Sequence, residues 1–170
     1  ISAGQVKKNE INTNQIVKVY FEEKENKIDH DITGKYNLVC ENHNSYHPSR
    51  EIYMHSHLQT LSENYDKHTF VVHAHPPNII SYTGLKDHKE LCDIKVTFPE
   101  LNVGNIGPNV KYHEAGSYTL AKSCFDKLKG NDIVALERHG TLSIGDDIDK
   151  IFEDIETIEY YTGIELNAHI

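Results

Sequence analysis

Two hydrophobic periods take turns along this chain. In QIVKVYFE (15–22) the apolar positions Ile16 or Val17, Val19 and Phe21 recur at every second residue, the period of a half-buried strand. A charged turn follows at Glu22–Asn26, and the stretch 27–40 ends in the short apolar pair Leu38-Val39. From Arg50 to Asn64 the period lengthens: Ile52, His55, Leu58 and Leu61 lie three apart, which predicts a helix with Ser49 as its N-cap. Phe70-Val71-Val72 opens a buried strand over 69–75. A helix broken near Gly84 is expected within 77–92, then an irregular stretch over 95–112 with short extended pieces, punctuated by Pro99, Gly104, Gly107 and Pro108. Gly116-Ser117 opens a further helix with Leu120, Ala121, Cys124, Phe125 and Leu128 inward, and Gly130 stops it. Asp132–Glu137 and Thr141–Ile144 read as strands on either side of Arg138-His139-Gly140. A last helix starts at Gly145-Asp146-Asp147, with Ile148, Ile151, Phe152, Ile155 and Ile158 as its apolar stripe. No repeat or interdomain linker interrupts this order, so residues 1–170 read as one domain of mixed α and β type.

Composition narrows the function classes. A chain of 170 residues can bury one core, and 38% hydrophobic with 25% charged residues reads as soluble and globular. A net charge of −9 argues against nucleic acid or an anionic membrane as the partner, because both select basic surfaces. No apolar run approaches the ~18 residues of a membrane span. The three cysteines, Cys40, Cys92 and Cys124, are odd in number and contain no CxxC, the usage of free thiols in a reducing cytoplasm. The chain opens on Ile1 rather than Met, which reads as a chain lacking an N-terminal segment.

The candidate chemistry begins in FVVHAHPP (70–77). Side chains on a strand alternate faces, so His73 and His75 point the same way, and Pro76-Pro77 ends the strand just beyond them. Two imidazoles on one face are half of a metal site; a catalytic zinc takes three protein ligands and keeps one position open. His139 is the third candidate, at the end of another apolar strand and beside a glycine that lets a second group approach. Glu51 is the acid/base candidate, in the first turn of its helix where the macrodipole favours a carboxylate. Helix spacing alone does not aim Glu51 at the histidines, and His55, one turn on, reads as packing or as support for the site.

Four collinear motifs carry a resemblance: PSREIYMH (48–55), VVHAHP (71–76), AGSYTLA (115–121) and LERHGTLSIG (136–145) followed by a helix. Together they resemble the class II aldolase/adducin family, which includes L-fuculose-phosphate and L-rhamnulose-phosphate aldolases. The resemblance implies a three-layer αβα domain around a mostly antiparallel sheet, in a cytoplasmic homotetramer with sites between subunits. It implies that His73, His75 and His139 bind zinc or another divalent ion, and that Glu51 shuttles protons. It assigns Ser49 and the Ser2–Gly4 loop, with Ser2 and Gly4 themselves, to the pocket for a substrate phosphate. The implied activity is that of a carbon–carbon lyase, cleaving a ketose 1-phosphate to dihydroxyacetone phosphate and an aldehyde.

The chain also departs from the family pattern. The glycine-asparagine phosphate loop lies upstream of Ser2 and is not in this sequence, and Arg50 stands where relatives often place Ser or Thr. That arginine either binds phosphate bidentately or faces solvent. Tyr82 and Tyr112 are the candidates for a tyrosine that relatives lend to a neighbouring subunit. The same scaffold also carries methylthioribulose-phosphate dehydratases and sugar-phosphate 4-epimerases, the latter usually with Asp at the position of Glu51. It carries the non-catalytic adducins too, which lack the metal histidines.

Overall fold

A computed structural model describes residues 15–23, 36–41, 48–61, 70–85 and 89–168. Strands β1 (Lys18–Glu23) and β2 (Tyr36–Glu41) pair antiparallel, Lys18 opposite Glu41. Helix α1 (Ile52–Leu61) leads to β3 (Phe70–Ala74), then α2 (Pro77–Thr83). A 3-10 turn at Leu91–Asp93 runs into the short α3 (Ile94–Thr97). The remaining elements are α4 (Tyr118–Leu128), β4 (Ile133–Leu136), β5 (Gly140–Gly145) and the long α5 (Ile148–Ala168). The sheet order is β3-β5-β4, antiparallel throughout. The expected irregular stretch supplies an extended edge beside β4, bridging Ile106 to Ile133 and Val110 to Leu136 in parallel.

The strand period explains the layering. All four residues of β4 are buried, and they alternate between two cores. Val134 and Leu136 pack with Leu142, with Met54 and Leu58 of α1, and with Leu120, Ala121, Cys124 and Leu128 of α4. Ile133 and Ala135 pack with Ile79 and Tyr82 of α2 and with Ile151, Ile155 and Ile158 of α5. Successive strand residues face opposite ways, so the sheet separates two helical layers.

The predicted helix over 77–92 is shorter than expected. It ends at Thr83, where the Gly84 N–H donates back to the Ile80 and Ser81 carbonyls, and the chain turns before Leu91. The apolar stripe expected on α5 is also corrected. Ile151, Ile155 and Ile158 are buried, but Phe152 and Ile148 are 47% and 39% exposed. Phe152 lies about 100° round the helix from Ile151, off the face that meets the sheet.

Candidate active site

Register places the histidines. Val72, His73 and Ala74 of β3 pair with Ser143, Leu142 and Thr141 of β5, so the end of β3 lies beside the start of β5. The β4–β5 turn brings His139 to that same end, its N–H donating to the Leu136 carbonyl at 2.9 Å. Gly140 permits the approach, as its place beside His139 suggested. A Cβ there would collide with the Ala74 carbonyl oxygen and stand 2.9 Å from His75 Cδ2. His73 has the parity of Val71, which packs against the α1/α4 core, and so points to that layer.

The three rings converge. His73, His75 and His139 each offer a ring nitrogen within 4.8 Å of the others. Ring centroids are 4.7 Å apart for His73–His75, 4.9 Å for His73–His139 and 5.3 Å for His75–His139. His73 Nδ1 lies 2.8 Å from the Thr141 carbonyl oxygen. A carbonyl only accepts, so Nδ1 carries the proton and Nε2 presents a lone pair, 2.9 Å from His75 Nε2. This backbone support of the outer nitrogen is the arrangement that fixes the tautomer of a ligating histidine. Burial, which penalises the charged ring, lowers the His73 pKa to about 3, against the pull of the Thr141 carbonyl and with help from His75, His139 and His55. A ring held neutral is the form that binds metals.

Glu51 stands opposite. Its Oε1 is 3.8 Å from His139 Nε2, with the carboxylate 13% exposed. Its Oε2 is buried and accepts no hydrogen bond among the described residues. A buried carboxylate oxygen without a donor is costly unless a cation or a protonated substrate group meets it. Three convergent imidazoles, with Glu51 Oε1 beside the third, suit a divalent ion in donor type and number. Ser49 Oγ accepts from the Glu51 N–H at 3.4 Å, but α1 starts only at Ile52, so Ser49 stands ahead of the cap position expected for it. Ser2 and Gly4 lie outside the described residues.

The two tyrosine candidates part company. Tyr82 is 1% exposed in the α2/α5 core, beneath Lys89 Nζ at 5.3 Å from its ring. Burial pushes its hydroxyl up to about 12. It is a core residue, on the face of the sheet away from His73. Tyr112 is 60% exposed and lies under the Arg138 guanidinium. The Thr141 carbonyl that orients His73 was invisible in the sequence, because a backbone acceptor leaves no trace in residue type.

Residues 1–166 match the family model described as Class II Aldolase and Adducin N-terminal domain. Among solved structures, the chain is similar to the sugar-phosphate aldolase from Thermotoga maritima, at 22% identity and a TM-score of 0.65. That match covers 78% of this chain and 59% of the other, so this chain spans about three-fifths of that protein. An L-fuculose 1-phosphate aldolase matches at 20% identity and a TM-score of 0.64, over 99% of this chain and 68% of its own. No curated protein matches. At these identities the likeness is one of fold, and it bears out the expected α/β architecture.

Proposed function

We propose that this chain, which belongs to the class II aldolase and adducin N-terminal domain family, is a metal-dependent aldolase acting on a ketose 1-phosphate. The products of cleavage are dihydroxyacetone phosphate and an aldehyde, and the reaction is reversible. One observation carries the reading: three imidazole nitrogens within 4.8 Å of one another, with a carboxylate oxygen of Glu51 3.8 Å from the third ring.

In this reading His73, His75 and His139 hold a divalent ion, zinc or another transition metal that a three-histidine set accepts. Such an ion supplies Lewis-acid polarisation of the ketose carbonyl. The chain's own residues do the rest. Thr141, through its carbonyl, keeps His73 in the ligating tautomer. As the C–C bond breaks, the carbon that becomes the aldehyde gives up its hydroxyl proton, and Glu51 delivers a proton to the carbon set free. In the synthetic direction Glu51 removes it and the new hydroxyl regains one. Its seat in the first turn leading into α1 holds the carboxylate within 3.8 Å of His139 without a long flexible stem in solvent. Ser49, beside Glu51, contributes its hydroxyl to the substrate phosphate, with Ser2 and Gly4 completing that pocket. The working form is a cytoplasmic homotetramer.

The test is elemental analysis of the purified protein, then a screen of ketose 1-phosphates with and without a chelator. Chelator-sensitive release of dihydroxyacetone phosphate is the expected result. Absence of bound metal would overturn the reading in favour of an adducin-like domain. Loss of water without C–C cleavage would replace it with a dehydratase.

A further inference from the structure

Strand β5 has the histidine cluster at its start, where Thr141 pairs with Ala74. Its other end, from Ser143 to Gly145, lines a cavity of about 220 Å³. At ~3.4 Å per residue, Thr141 and Gly145 lie about 14 Å apart along the strand. The two places also use opposite faces of the sheet. His73 points to the α1/α4 layer, whereas Ser143 pairs with Val72 and Ile133, which pack in the α2/α5 core. Directly paired residues share a face, so Ser143 points to α5.

Ser143 is 3% exposed, and among the described residues its Oγ has no hydrogen-bond partner. Burying a hydroxyl beside Val72 and Ile133 is costly unless something in the cavity meets it. A single water does not account for the space, since its share of liquid volume is roughly 30 Å³. The cavity lies below the roughly 300–1,000 Å³ of drug-sized sites, so it suits a small ligand.

Charge selects the ligand. Among the described residues, Asp132, Asp146, Asp147 and Asp154 line the cavity against one lysine, Lys150. Lys150 Nζ donates to Asp154 Oδ1 at 2.6 Å, and Asp154 Oδ2 accepts from the Gly104 N–H at 3.1 Å. That pair is satisfied. An anion is not invited to the start of α5 either. Asp147 Oδ1 accepts from the N–H groups of Asp149 and Lys150 at 3.0 and 3.2 Å, and the Asp147 carbonyl accepts from Ile151. Asp132 Oδ2 accepts from the Asn105 N–H at 2.7 Å. The second oxygens of Asp132 and Asp147 accept no hydrogen bond among the described residues. What is left over is two carboxylate oxygens and a buried hydroxyl, all able to accept. They do not converge on a point: the histidines are the only described group of three His, Cys, Asp or Glu donors close enough to share one ion. The ligand is therefore an extended cation, and Ile133 and Ile151 in the wall suit a hydrocarbon body.

We infer that this cavity binds a short organic diamine. Its ammonium groups meet the unspent oxygens of Asp132 and Asp147, its alkyl chain lies on Ile133 and Ile151, and one N–H donates to Ser143 Oγ. Such a site stands whether or not the histidine cluster cleaves a sugar phosphate.

The experiment is calorimetric titration of the full chain with 1,4-diaminobutane at 0.15 M salt, where diffuse attraction to a chain of net charge −9 is screened. One equivalent should bind. Ser143→Ala should weaken binding about tenfold, the loss expected for one hydrogen bond to a charged group. The same variant without ligand should melt no lower than the parent, because it removes an unpaired buried hydroxyl. A serine with a structural role alone would give the opposite pair, a lower Tm and undiminished binding. Asp132→Asn changes an exposed charge and should weaken binding about threefold. Diamine affinity within about twofold of the parent in Ser143→Ala overturns the proposal, as does a parent chain that takes up no diamine. One-for-one displacement of the diamine by Mg²⁺ would overturn it in favour of a metal site. Butylamine binding as tightly as the diamine would overturn the two-ended ligand.

Discussion

Acid should destabilise the metal-free protein through His73, and the size of the effect follows from its surroundings. Burial holds this imidazole at a pKa of about 3, against an ordinary value of 6.5. The unfolded chain therefore takes up a proton near pH 6.5, while the folded chain resists until about pH 3. The folded pKa is the depressed one, so the contribution is complete above pH 6.5 and is lost as pH falls from there towards 3. By pH 5 the loss is about 2 kcal/mol, and across the whole window about 5 kcal/mol. Marginal stabilities of roughly 5–15 kcal/mol make this a large share. Urea unfolding of the full chain in chelator, between pH 7.5 and 5, measures it. In His73→Gln the titrating ring is gone while a side-chain N–H remains that could reach the Thr141 carbonyl, so the variant should lose about 2 kcal/mol less than the parent over that range. Parallel curves for the two proteins would refute the reasoning.

Three further outcomes are expected. Glu51→Gln should lower kcat by about 10²–10⁴, the range for a lost proton shuttle, while elemental analysis finds the metal content unchanged. Gly140→Ala drives a methyl into the Ala74 carbonyl and to 2.9 Å of His75 Cδ2, so bound metal should be lost and Tm should fall. Ser117→Ala removes the hydroxyl that accepts from Leu120 N–H at 3.1 Å at the start of α4, which should cost about 1 kcal/mol by calorimetry without changing metal content.

Much of the site was legible because its parts are local in sequence. The alternation Val71, His73, His75 states on its own that two rings share a face, and the structure brings His139 to them by pairing Thr141 with Ala74. The start of α4 was legible for the same reason: Ser117 is the N-cap, one residue after Gly116 at positive φ. What escaped the sequence depends on distant partners. The outward turn of Phe152 follows from which side of α5 meets the sheet, a choice made by Ile151, Ile155 and Ile158 jointly. The start of α2 is held by Glu159 of α5, whose carboxylate accepts from the N–H groups of Asn78 and Ile79 at 2.9 Å. No local rule announces a cap from 80 residues away. Tyr82 illustrates the converse: its position in the chain looks available, and only packing reveals it as core.

Strand β4 has four residues, each wedged into one hydrophobic interior or the other, and it ends three positions before His139. The third imidazole thus hangs from a beam clamped between two independent fillings. A methylene removed from Met54 on one side or from Ile155 on the other reaches the ring by the same short lever. Defects far from the cleft, in the helices on either side of the sheet, should converge on a single symptom: a third imidazole less firmly placed than the pair at the end of β3.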